Sequence, residues 1–212
     1  MKKFVYVILS ILTVIVNTSP AAPEPEVVQK PYEWTVDVTF EHPQQITLRW
    51  NKEKKPEKYW YTIITLTNNT KNDVEFYPEC ELVTDTFQIV PACRGVPAFA
   101  FKQIKQRHQS KYPFLEYLDD TDNRILQGED NTKDIAIIWP DFDSKAKGIN
   151  IFIAGLSNET AAVDHPTEKD EAGNPVKIYL RKTLELSYKV SGDAAFRSGA
   201  NLVYEDKRWI MR

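Results

Sequence analysis

Cys80 and Cys93 are the only thiols in a chain of 212 residues. An even number of cysteines in an exported protein usually pairs, and the leader described below points to export. Roughly thirteen extended steps would hold the two Cα atoms about 43 Å apart, whereas a disulfide needs roughly 5.5 Å. A bridge therefore requires the chain to reverse, and ELVTDTFQIV has turn residues for that at Thr84, Asp85 and Thr86. Closing such a loop would stabilise by about 3 kcal/mol in the chain-entropy model, so a structural Cys80–Cys93 disulfide is expected. Neither cysteine has a histidine or an acid at zinc spacing beside it, and no metal is expected there.

The carboxylates and histidines offer less. Asp141 and Asp143 of the DFD triplet would place two carboxylates on one side of a strand end, the arrangement acid–base hydrolysis needs. Beside the turn residues 144–148 they read more simply as loop residues. His165 follows Asp164 in VDHPTEKDEAGNP, a loop with oxygen donors for calcium at Glu168, Asp170, Glu171 and Asn174, in no spacing that defines a calcium loop. No GxSxG elbow accompanies the Asp–His pair. Asn68-Asn69-Thr70 and Asn158-Glu159-Thr160 fit the glycosylation acceptor pattern, with turn residues the simpler reading. A hydrolase using carboxylates is thus a minor alternative; the chain is expected to be no enzyme, with no cofactor.

The elements that must position these groups are strands. In WTVDVTF, Trp34, Val36, Val38 and Phe40 share one face, and ITLRW repeats the pattern with Ile46, Leu48 and Trp50. The intervening EHPQ predicts a hairpin turn. In YWYTIITLTNNTKNDVEF, both faces of the strand are apolar, which predicts a central strand covered twice. It stops at the polar turn residues 68–73. DIAIIWP and INIFIAG follow, then VKIYLRKTLELSYKV, where only Lys182 breaks the alternation. Fifteen residues span roughly 50 Å as one strand, so a bend or bulge near Lys182 is expected. NLVYEDKRWIM reads as a last hairpin turned at Glu205, Asp206 and Lys207. One helix interrupts this pattern, beginning at Pro97 and running to about Gln109, with Phe101, Ile104 and His108 on one stripe. The stripe should dock over Tyr61 and Ile63. Its basic side, Lys102, Lys105 and Arg107 with Lys111 following, is the candidate partner-binding surface for an acidic partner.

Frequent turns and eight or nine strands predict an all-β fold of two packed antiparallel sheets. The run YTIITLTNNTKNDVEF, then LVTD, then ILQGEDNTKDIAIIWPDF, resembles the layout of exported bacterial immunoglobulin-like sandwich domains, from Tyr59 to Leu156. The resemblance implies an immunoglobulin-like antiparallel β-sandwich with one inserted α-helix. Many such domains have no assigned activity, and the resemblance implies no catalytic residue.

The chain opens MKKFVYVILSILTVIVNTSPAAPEPE: two lysines, an apolar run, then Ser19 and Ala21 in the spacing a signal peptidase reads. The run of ~13 residues is short of the ~20 that cross a bilayer. The expected organisation is a signal peptide at 1–21, a Pro-rich tether at 22–33 and one sandwich domain at 34–212, periplasmic or extracellular, with no stable membrane insertion after cleavage. Without Lys2 and Lys3 the 27 basic side chains fall to 25 against 30 acidic ones, a net charge of −5. That balance argues against nucleic acid as a partner. The leading expectation is a non-catalytic interaction or accessory module that binds a protein. The alternative is a carbohydrate-binding module, motivated by five tryptophans and ten tyrosines, including Tyr179 on a polar strand face.

Overall fold

The computed structural model describes residues 22–26, 30–49, 55–192 and 200–212. The expected leader and Trp50 lie outside them. In chain order the elements are β1 (Asp37–Phe40), β2 (Gln44–Leu48), β3 (Glu57–Thr67), β4 (Val74–Glu75), β5 (Glu79–Thr84), β6 (Ile89–Pro91), α1 (Ala98–His108), β7 (Glu116–Tyr117), β8 (Arg124–Ile125), β9 (Lys133–Pro140), β10 (Gly148–Ala154), β11 (Thr160–Lys169), β12 (Pro175–Ser191) and β13 (Asn201–Met211).

The chain is mostly β, and two sheets share a core. In the first, β3 lies between β9 on one edge and β1 with β2 on the other, and β7 adds a short parallel pairing to β9. In the second, β12 lies between β13 on one edge and β10 with β11 on the other; β5 and β6 extend it beyond β10. Trp60, Ile64, Ile137 and Trp139 of the first sheet meet Leu82, Ile151, Leu184 and Leu186 of the second in one buried cluster. The opposite face of the first sheet is apolar too. There Tyr59, Tyr61, Ile63 and Ile138 are covered by Ala100 and Ile104 of α1 and by Leu115. The double dressing of β3 therefore means what it predicts, a strand covered by a sheet on one side and a helix on the other.

Four local expectations are corrected. β1 and β2 do not form a hairpin: both pair with β3, as two halves of one edge strand interrupted at Glu41-His42-Pro43. The pairing register shifts there by one residue, so the segment bulges without reversing. Residues 201–211 likewise form one strand along β12, with the extra residue Glu205 as a bulge opposite Ser187 and Tyr188. β12 runs through Lys182 without a break, because the lysine sits at a core position with its charge matched. Its ammonium is 2.7 Å from Glu159 Oε2 and lies over the Trp209 ring. The 17-residue length is accommodated by projection, since residues 177–180 pair, among the described residues, only with β11, in a hairpin arm that runs beyond the end of β13. Finally, residues 22–26 of the Pro-rich segment lie against the domain. Pro23 and Pro25 line a groove with Trp209 and Met211, and the Glu26 N–H donates to Glu159 Oε1 at 2.7 Å.

Asn68, in the first acceptor motif, is fully buried. Its amide donates to the carbonyls of Asn72 and Ile125, and its Oδ1 accepts from the N–H and hydroxyl of Thr70. It holds the turn after β3 against β8.

Candidate functional site

The helix meets the expectation closely, with Pro97 as its N-terminal boundary and α1 ending at His108. Its basic side chains are largely committed within the chain. Lys105 donates to the Leu115 carbonyl at 2.9 Å and lies over Phe101. Arg107 donates to the Tyr61 hydroxyl at 3.3 Å, and Lys111 pairs with Glu41. Lys102 is exposed.

Beneath the helix end these contacts form one polar network. The Tyr61 hydroxyl donates to Gln44 Oε1 at 2.9 Å and lies 2.9 Å from His108 Nε2. Burial pushes the Tyr61 phenol above its ordinary value and holds His108 below its own. The Lys111 ammonium, with the Tyr112 hydroxyl at 2.7 Å, keeps the Glu41 carboxyl below the usual carboxylate range. Glu41 stands in the β1–β2 interruption, so the network ties the helix to the bulge of the edge strand.

The expected disulfide is not formed. Both cysteines are free. Cys80 belongs to the core between the sheets, whereas Cys93 packs against the cluster under the helix and donates its backbone N–H to Ile138. The chain does reverse at Asp85 and Thr86, but the pairing sets Ala92, not Cys93, opposite Cys80. Burial raises the thiol pKa of both cysteines.

The DFD carboxylates are structural supports. Asp141 Oδ1 accepts from Trp60 Nε1 at 2.8 Å. Asp143 Oδ2 accepts from the Thr86 hydroxyl at 2.7 Å, and the Asp143 N–H donates to Gln88 Oε1 at 2.6 Å. His165 Nδ1 accepts the N–H groups of Thr167 and Glu168, and Asp170 caps the arm's turn through the N–H groups of Ala172 and Asn174.

Those Asp143 contacts brace an unusual turn. Between β5 and β6 a three-residue loop, Asp85-Thr86-Phe87, joins the hydrogen-bonded pair Thr84 and Gln88. In such loops the third residue is left-handed, a position suited to glycine. Here it is Phe87, at φ 64°, with its side chain 92% exposed. Asp85 accepts from the Lys147 N–H, and its own N–H donates to the Gly148 carbonyl, so the turn is held from both sides. Ile89, 56% exposed, stands two residues on, on the edge strand of the second sheet. Sequence reasoning located this reversal and missed its aromatic, because turn chemistry singles out Gly and Asn rather than Phe.

A second feature is an open groove of about 640 Å³ lined by Tyr32, Trp34, Asn72, Glu75, Tyr77 and Arg181, among others. Tyr32 and Tyr77 are exposed. Asn158, of the second acceptor motif, secures this wall: its Oδ1 accepts from the Trp34 N–H and its Nδ2 donates to the Tyr32 carbonyl. Among the described residues, the tryptophans belong to the core. Trp60 and Trp139 are buried, and Trp34 and Trp209 pack against the same cluster.

The fold and these surfaces define a β protein whose two large sheets share a core, with a small β4–β8 ribbon and a helix over one of the large sheets. No family model, no curated protein and no solved structure matches this chain.

Proposed function

We propose that this is an exported, non-catalytic module with an immunoglobulin-like sandwich, which binds another protein in the cell envelope or outside the cell through the Phe87 turn. One observation carries the reading. Phe87 sits in a left-handed conformation that disfavours side chains and leaves its ring in water, yet its turn is braced by Asp143, Gln88 and Gly148. Strain at an exposed, pre-organised position is a recognised mark of function, and an aromatic anchor entering a partner's apolar pocket is how protein interfaces concentrate affinity. Engagement of Asp141 and Asp143 in structural bonds supports a non-catalytic role. The test is crosslinking capture from the native envelope with wild type and Phe87→Gly. Loss of the wild-type partner in the variant supports the proposal, and unchanged capture overturns it.

A saccharide reading is favoured by the groove at Tyr32, Trp34 and Tyr77, where aromatic faces and amide or carboxylate side chains line the same wall. Quenching of tryptophan fluorescence by soluble oligosaccharides, lost in Tyr77→Ala, would establish it.

A further inference from the structure

The Phe87 turn does not stand alone at its end of the sandwich. The loop between β9 and β10, residues 141–147, lies beside it, and hydrogen bonds fix one to the other. Asp143 Oδ2 accepts from the Thr86 hydroxyl, and Asp143 Oδ1 accepts from the Lys145 N–H at 2.9 Å. The two carboxylate oxygens of Asp85 accept from the Lys147 N–H at 3.1 and 3.2 Å. Ala146, between these lysines, is buried in the core shared by the sheets, while Lys145 and Lys147 on either side of it are exposed. The backbone that carries both lysines is thus tied to the turn that displays Phe87.

The charges of this tip are unequally engaged. The carboxylates of Asp85 and Asp143 hold the two loops together. The ammonium groups of Lys145 and Lys147 have no ion-pair or hydrogen-bond partner among the described residues. On the helix side, by contrast, Lys105, Arg107 and Lys111 all bond to the chain's own groups. Two unmatched cations therefore stand beside a ring that is 92% exposed.

From the Phe87 contact proposed above, on which this step rests, we infer that the partner is a protein whose surface offers an apolar pocket for the ring, with aspartate or glutamate carboxylates on its rim opposite Lys145 and Lys147. An aromatic anchor at the centre and charges at the margin are the usual anatomy of a protein interface, and complementary rim charges select the partner and speed the encounter. The same side chains favour a protein over an anionic lipid surface. Attraction to such a surface grows with the basic residues near it. Here the two lysines are offset by Asp85 and Asp143, and the whole chain carries a net charge of −3, so the tip has no net pull toward a negative plane. A pocket can set its carboxylates against the two ammonium groups alone and leave the aspartates bonded to their own loops.

Carbodiimide coupling of the full chain in its native envelope tests the pairing, because the reagent joins an amine to a carboxyl group in contact with it and leaves no spacer. Mass spectrometry of the adduct is expected to map Lys145 or Lys147 to an aspartate or glutamate of the partner that Phe87→Gly loses. Lys145→Glu combined with Lys147→Glu should capture that partner at least tenfold more weakly, with an unchanged thermal melt, and the same two positions changed to arginine should capture it as wild type does. Wild-type capture should itself weaken between 0.1 and 1 M salt, as the Debye length falls from about 10 Å to about 3 Å. Equal capture by the glutamate variant, or adducts that never involve either lysine, overturns the inference and leaves the Phe87 contact standing. Binding to phosphatidylglycerol vesicles through Phe87, with no protein captured, overturns it too. If wild type and Phe87→Gly capture the same proteins equally, the Phe87 contact and its acidic rim fall together.

Discussion

Replacing Phe87 by glycine separates a residue kept for folding from one kept for display. A left-handed conformation costs a non-glycine residue roughly 1–2 kcal/mol, and relief of that strain favours the variant. Glycine's greater chain entropy returns about 0.5–1 kcal/mol to the unfolded state. Phe87 is 92% exposed. If burying a whole Phe contributes about 1.5–3 kcal/mol, its small covered fraction contributes only about 0.2 kcal/mol. The balance is a gain in stability of about 0.5 kcal/mol, read as a higher urea midpoint at unchanged slope. Partner capture should fall at least tenfold in the same variant, as expected of an interface anchor. Phe87→Ala is the control: it keeps the left-handed penalty, so it should lose capture without gaining stability. A glycine variant destabilised by more than about 1 kcal/mol would show that the ring packs in the fold, and the display argument would fail.

Other features predict distinct outcomes. Lys182→Ala strands the buried Glu159 carboxylate and should cost about 3–5 kcal/mol in denaturant unfolding. Burial alone would raise the Glu159 pKa, but the Lys182 ammonium and the Glu26 N–H hold it below the usual value. Its stabilising contribution is therefore full above the unfolded value of about 4.3 and lost as pH falls through the lower folded one; acid titration of unfolding should show this slope in wild type and not in Lys182→Met. Gly155→Ala should cost at least about 2 kcal/mol, because a Cβ at φ 90° would stand 2.6 Å from the Tyr77 carbonyl oxygen; thermal melting checks it. Alkylation of native protein should label Cys93 ahead of buried Cys80, and unfolding without reductant should expose two reactive thiols. A chain that takes up no label when unfolded would refute the separation of the two cysteines.

Legibility in the sequence followed the range of the interactions. Period-two alternation is local, so the strand cores and the double covering of β3 could be read directly, and the helix followed from Pro97 and its apolar spacing. Turns that depend on pairing could not. EHPQ has the composition of a reversal and is a bulge, because β1 and β2 both find β3 and only the register between them changes. Lys182 reads as a break in an apolar face; its partner Glu159 lies 23 residues away in sequence, and nothing local announces the pair. The cysteines mislead in the opposite direction. Their spacing permits a hairpin, but the pairing sets Ala92 opposite Cys80, and Cys93 lies beyond the end of β6 in a left-handed turn, at φ 65°, packed against the cluster under the helix. Phe87 was hidden because exposure and a left-handed backbone are properties of the assembled turn.

The continuity of β12 also sets how this molecule can change length. Its first part belongs to the arm and its second to the core, and both share one alternation from Val176 to Tyr188. Inserting or deleting two residues in each arm strand would move the tip outward or inward by about 7 Å while every side chain kept its face. A single residue added to β12 between the arm and Lys182 would turn Ile178 and Leu180 to the other face while Leu184 and Leu186 stayed in place. The arm is thus free to vary in reach only in even steps, and natural length variation in this segment should come as pairs of residues matched across the hairpin.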